Sequence, residues 1–308
     1  MNNIIIKRFL AVFVALVLLF SISGCNKKPE EKPKPTEPSK VEVTKDEFYI
    51  SEGYVVEKTQ PMNESMAEHA VTVFDFVKET YFTNNYIYFA MIPDKHSFAG
   101  DKKADYDEFF SYMKGQMPYA TAIEIYDLLE LSDYYKTDPH WKQECLIDVA
   151  QRINSAMGAE SFSDVGLTAI EKPYIGVYKD RTDIGDITDT MSYLSNDEIN
   201  ALTVEGADAV YDFKKFDSKD PYEFFLSGNQ AVVTVKNASA PQDKRLVVFR
   251  DSFACSLAPL LCKGYGEVVF VDLRYIMSDY VGEYVDFEGA DILFLYSTLL
   301  LNNSFSIK

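Results

Sequence analysis

Apolar positions along this chain repeat with two periods. Between 63 and 81, Met66, Ala70, Val73, Phe74 and Val77 follow helical spacing behind a capping Asn63, which predicts a helix. The segments 106–117, ending before Pro118, and 143–157, with Leu146, Val149, Ala150 and Ile153 on one face and Gly158 at its end, read the same way. Shorter continuous runs predict buried strands at 86–92, 123–126, 207–213 and 230–235. The last third is the most regular. Strands at 245–249, 267–273 and 291–296 enclose a turn at 250–253 and a helix at 254–261, in which Pro259 is awkward outside a first turn or a kink. Short apolar strands alternating with helices predict an α/β fold, a mostly parallel sheet with helices on both faces. The stretch 161–227 is hard to read. Its Asp180–Asp189 run of acids is taken as a solvated excursion, with calcium binding as an alternative whose ligand spacing does not match a closing glutamate.

The first 46 residues stand apart from this pattern. Lys7 and Arg8 precede an apolar run from 9 to 20, and Ser21-Ile-Ser-Gly-Cys25 then places small residues before a cysteine. That is a secretory signal over 1–25. The alternative is an uncleaved anchor, but the run is short of the ~20 residues a spanning helix needs. Residues 26–46 are rich in Pro, Lys and Glu and read as an extended linker, with the folded domain at 47–308.

Composition excludes some functions. The net charge of −18 deepens to −20 once Lys7 and Arg8 leave with the signal, so nucleic acid is excluded as a partner. Beyond residue 25 the chain has Cys145, Cys255 and Cys262, an odd count that argues against a disulfide framework. With three histidines and no Cys-x-x-Cys pair, no metal and no soluble cofactor are expected, and His69 and His96 read as ordinary polar residues.

Candidate chemistry begins at Asp138-Pro-His140, followed by Trp141, the chain's one tryptophan. A residue before proline is pushed toward extended backbone. There i and i+2 project to one side, so Asp138 and His140 are expected to face together. A third member is Ser252, at the carboxyl end of the strand 245–249, where open α/β sheets place their ligands. Asp-Ser after a strand is by itself an ordinary helix cap, and Asp138 with His140 by itself an ordinary polar turn.

The order of these elements carries more. Tyr135-Lys-Thr-Asp-Pro-His-Trp141, Val247-Val-Phe-Arg-Asp-Ser-Phe253, Val271-Asp-Leu-Arg-Tyr275 and Leu293-Phe-Leu-Tyr296 resemble the bacterial DHHW family in order and spacing. That family is similar to the alginate O-acetylation proteins with their SGNH-hydrolase-like domain. The resemblance covers most of the chain from about Glu47 and implies an SGNH-like fold with permuted motif order, acid and histidine before serine. It also implies a nucleophile at Ser252, a general base at His140 and an orienting acid at Asp138, with Gly228 and Asn229 serving the oxyanion. Cys25 resembles the lipidated cysteine of a bacterial lipobox, which implies a lipid anchor on the extracytoplasmic face of the cell membrane. The implied function is an acetyl esterase or O-acetyltransferase acting on envelope polysaccharide or another acetylated glycan, with a membrane acetyl-donor protein as a possible partner. Arg250 stands where SGNH proteins commonly carry Gly, and is expected to crowd the nucleophile turn. With the unread 161–227, it motivates the alternative of a non-catalytic hydrolase-like lipoprotein that binds glycan or a membrane partner.

Overall fold

The computed structural model describes residues 42–45, 47–58, 61–99 and 105–308. The expected signal segment, Cys25 and the linker as far as residue 41 lie outside the described residues. A small antiparallel sheet comes first, made of β1 (Glu42–Lys45), β2 (Phe48–Ser51) and β3 (Tyr54–Glu57). Paired backbone thus begins inside the stretch read as linker, where Val43 and Thr44 are strand formers.

The central strands are β4 (Ile87–Ile92) and β5 (Thr121–Ile123) and, beyond a hairpin of β6 (Gly166–Tyr174) and β7 (Asp189–Ser195), β8 (Thr203–Glu205), β9 (Val232–Lys236), β10 (Arg245–Arg250), β11 (Glu267–Val271) and β12 (Asp291–Ser297). They form a 7-stranded sheet in the order β5-β4-β12-β10-β11-β9-β8. From β5 to β11 every pairing is parallel, and β9 and β8 close one edge antiparallel.

The continuous apolar runs follow from burial on both faces. In β10, Leu246 and Val248 enter one core, while Val247 and Phe249 enter the other. In β12, Leu293 and Leu295 alternate in the same way with Ile292, Phe294 and Tyr296. One core is covered by α1 (Glu64–Tyr81) and α2 (Tyr106–Gln116). The other is covered by α3 (Ile147–Ala156) and, after the short α4 (Asp197–Asn200), by α5 (Ala254–Leu261). The chain closes with α6 (Thr298–Leu301) and a final turn. Each fully buried Val, Leu or Phe contributes about 1.5–3 kcal/mol relative to exposure, so both helical layers are needed to hold the sheet.

Several expected elements differ. The strand placed at 123–126 ends at Ile123, and Tyr126–Leu128 is a 3₁₀ turn. The segment 207–213 is not a strand; it makes a single bridge, Tyr211 to Phe225, as it wraps the aromatic cluster around Phe224. Pro259 lies inside α5 rather than in its first turn, so the helix lacks the N–H that would reach the Cys255 carbonyl. The unread middle contains the β6–β7 hairpin. Asp189, last of its acids, accepts the Lys136 N–H at 2.7 Å and so braces the loop before Asp138. Among the described residues no group of three or more His, Cys, Asp or Glu is gathered to hold a metal ion, calcium included.

Candidate active site

The strands β4, β10, β11 and β12 end at one edge of the sheet, and the candidate residues meet there. Asp251, just after β10, is not aimed at any reacting group. Its Oδ2 accepts from Ser297 N at 2.8 Å and Ser297 Oγ at 2.6 Å, and its Oδ1 accepts from Phe253 N at 3.0 Å. Asp251 therefore ties the ends of β10 and β12 together and shapes the turn that presents Ser252.

The loop carrying Asp138 and His140 is pinned over this turn. A bridge between Tyr134 and Trp141 closes its base. The Trp141 indole Nε1 donates to the Phe253 carbonyl at 2.9 Å, and Gln143 Nε2 donates to the Ser256 carbonyl at 2.6 Å. The loop is thus anchored to residues on both sides of the start of α5. From within β4's exit, the buried Lys95 Nζ donates to the Tyr135 carbonyl at 2.9 Å and also to the Val55 carbonyl, which joins the loop to β3. Burial pushes the Lys95 ammonium down to about 7, against the pull of Asp138, Asp189, Glu57 and Asp94.

Residues 138–140 form a bend rather than an extended strand. The acid and imidazole still meet, because Asp138 turns back on its own chain. Its Oδ1 accepts the His140 backbone N–H at 3.1 Å and the ring Nδ1 at 2.6 Å. This side-chain turn is the habit of Asx residues and needs no strand. The other oxygen, Oδ2, accepts from Val177 N at 3.0 Å. Burial pushes the Asp138 carboxyl up, but the adjoining His140 ring and these N–H donors outweigh it and hold its pKa below the ordinary value. An ionised carboxylate only accepts, so the imidazole proton sits on Nδ1 and Nε2 presents its lone pair. Ser252 Oγ lies 2.8 Å from that Nε2. The structure therefore brings Asp138, His140 and Ser252 into one hydrogen-bonded line.

Sequence reading missed the parts that hold this line in place. Tyr222 stacks on the His140 ring, with centroids 3.8 Å apart and planes 4° from parallel, and its hydroxyl donates to Ser256 Oγ at 2.8 Å. Gly176 sits against the acid, and a Cβ there would fall 2.3 Å from Asp138 Cβ. Both come from the segment 161–227, where no local pattern marks them. The expected oxyanion pair divides. Gly228 donates its N–H to the Phe225 carbonyl at 3.0 Å, so it has no donor left for a ligand; its part is the turn, at φ +85°. The Ser252 N–H and the Asn229 Nδ2 have no acceptor among the described residues.

Arg250 does not crowd Ser252. As the last residue of β10 it falls in the alternation of Leu246 and Val248. It lies fully buried, with Nη1 2.8 Å from Asn229 Oδ1, 3.4 Å from Cys255 Sγ and 3.5 Å from Asp272 Oδ2. The remaining histidines are placed as structural partners, His69 beside Ser304 Oγ at 3.0 Å and His96 beside the Tyr49 hydroxyl at 3.3 Å. The cysteines Cys145, Cys255 and Cys262 are free thiols.

No protein-family model and no curated protein sequence matches the chain. Solved structures do. A DHHW family protein from Eubacterium siraeum superimposes with a TM-score of 0.68 at 17% identity, over 88% of this chain and 98% of that one. Bacillus cereus PatB1, in a structure with a sulfonyl adduct, superimposes with a TM-score of 0.63 at 18% identity, over 82% of this chain and 95% of its own. The chain thus shares its fold with a protein of the DHHW family, the family that the motifs resemble.

Proposed function

We propose that this chain is a serine acyl-transfer enzyme, an acetyl esterase or O-acetyltransferase of the bacterial envelope. The observation that supports it is the line Asp138–His140–Ser252, at 2.6 Å and 2.8 Å, at the carboxyl edge of a parallel sheet. In this reading Ser252 Oγ attacks the carbonyl of an acetyl ester as His140 Nε2 takes its proton. The Oγ–acyl bond forms, the ester C–O bond breaks, and the leaving alcohol takes the proton from Nε2. An acceptor hydroxyl then gives its proton to Nε2 as its oxygen bonds the acyl carbon, the Oγ–acyl bond breaks, and Ser252 Oγ recovers the proton from Nε2. Water as acceptor makes the protein an esterase, and a sugar hydroxyl makes it an O-acetyltransferase. Asp138 holds the tautomer throughout.

Substrates of this class are envelope polysaccharides or other acetylated glycans, with acetyl supplied by a membrane donor protein. Lipidation at Cys25 would keep the domain on the extracytoplasmic face, within reach of both. The alternative of a hydrolase-like binder loses one of its two motives, since Arg250 packs beneath the turn instead of over Ser252. The test is acetyl-ester turnover by the purified protein against Ser252→Ala. Loss of turnover is expected, and equal rates would remove the triad from the reading.

A further inference from the structure

Resting on that reading, we propose that Arg250 is a positioning residue for the oxyanion: it fixes the Asn229 amide so that Nδ2 donates to the acyl oxygen as negative charge builds. Four observations point this way. First, the buried guanidinium makes its shortest bond not to a carboxylate but to a neutral amide, 2.8 Å to Asn229 Oδ1 against 3.5 Å to Asp272 Oδ2. Asp272 is instead gripped by the fork of Arg274, at 2.9 Å and 2.6 Å. Second, Nε and Nη2 of Arg250 have no partner among the described residues. Burying N–H groups of a cation in that state is costly, and a helix cap or a core residue would not require it.

Third, a guanidinium can only donate. The amide atom facing it must therefore be the oxygen, so Nδ2 is turned away from Arg250, and no described residue accepts from it. The choice between the amide's two orientations is made by Arg250 at 2.8 Å, with the Cys255 thiol donating more weakly to the same oxygen at 3.8 Å. Fourth, the backbone before Asn229 is strained. Leu226, Ser227 and Gly228 lie in succession at φ +55°, +54° and +85°. For a non-glycine residue this region costs about 1–2 kcal/mol. The strain is held by Leu226 N donating to the Val210 carbonyl at 2.8 Å and by Ser227 Oγ accepting from Asp208 N and Ala209 N at 3.1 Å and 3.0 Å. Left-handed backbone this firmly held is characteristic of functional turns. Both devices act on residue 229. The same Nη1 also lies 3.5 Å from the carbonyl of Asp251, which precedes Ser252. One guanidinium thus touches the amide and the nucleophile turn together, and no proton leaves it in the reaction.

The experiment is a double-variant cycle on the full chain, reading kcat and KM for 4-nitrophenyl acetate. Asn229→Ala and Arg250→Met are each expected to lower kcat by about 10²-fold, as for loss of one oxyanion donor, with KM unchanged. The double variant is expected to be no slower than the slower single one, because both changes remove the same bond. Asn229→Asp keeps an oxygen for Arg250 but has no N–H, and is expected to fold and to lose at least as much kcat as Asn229→Ala. Should Arg250→Met not fold, Arg250→Lys keeps the buried charge without the planar fork and enters the same cycle. Wild-type kcat in either Arg250 variant or in Asn229→Asp, or losses that multiply in the double variant, would overturn the proposal. Ser252→Ala is run beside them: if it keeps wild-type turnover, the triad reading fails whatever the cycle gives.

Discussion

On the proposed function, a single methyl group added at Gly176 should slow acetyl-ester turnover without changing Asp138, His140 or Ser252. Gly176 has φ −79° and ψ −175°, ordinary extended backbone, so alanine meets no conformational penalty there. The obstacle is space. The new Cβ would lie 2.3 Å from Asp138 Cβ, 2.5 Å from its Oδ2 and 2.6 Å from the Thr137 carbonyl oxygen. Carbon atoms rest about 3.5 Å or more apart, so Asp138 or the 176–177 backbone must retreat by roughly 1 Å. Asp138 cannot retreat alone, because its two oxygens hold His140 on one side and Val177 N on the other. A displacement of this size in a catalytic constellation costs about 10²-fold in rate, or ~2.7 kcal/mol of barrier. The overpacking itself costs about 1–3 kcal/mol of stability. The assay is therefore kcat/KM for an aryl acetate at a temperature where circular dichroism shows the variant folded. Folded Gly176→Ala with wild-type kcat/KM would refute the claim that the position of Asp138 governs the imidazole.

Other outcomes follow from the same contacts. Asp138→Asn keeps the volume but releases the tautomer lock, and steady-state kinetics should show kcat reduced by about 10⁴-fold with the fold intact. Ser227→Ala removes the oxygen that receives Asp208 N and Ala209 N, and thermal denaturation should show a loss of about 0.5–1.5 kcal/mol, the net worth of a hydrogen bond at a part-buried turn. Lys95, pushed down to about 7 by burial from an ordinary 10.5, binds fewer protons folded than unfolded above pH 7. Unfolding free energy should therefore rise with pH from about 7 to about 8.5, where unfolded cysteines begin to ionise and the half-buried Cys145 and the buried Cys255 and Cys262 do not. Urea titrations across that window should show the slope in the wild type and its loss in Lys95→Met.

Legibility in the sequence follows a physical divide. Strands buried on both faces appear as unbroken apolar runs, so Leu246-Val-Val-Phe249 and Ile292-Leu-Phe-Leu-Tyr296 stand out from the residue pattern alone. The hairpin β6–β7 does not, because β6 faces solvent along most of its length, Leu167 being 60% exposed, and carries no burial pattern. Asp138 and His140 do meet as their spacing implies, though through an Asx-type bend and not the extended backbone that Pro139 favours. The contacts that set their geometry, Tyr222 and Gly176–Val177, lie far along the chain and meet the site only through folding. The direction of Arg250 is hidden in the sequence because it depends on strand register, which places the side chain beneath the turn with Val248 instead of above it with Ser252.

The central claim is that Ser252 carries the acyl group between donor and acceptor. Its most direct test is to mix the protein with an aryl acetate, quench in acid within the first turnover, and map the peptides by mass spectrometry. One acetyl group on the peptide bearing Ser252, absent in His140→Ala, is the predicted result. A wild-type protein that turns over the ester while that peptide stays unmodified, with Ser252→Ala equally fast, would contradict it.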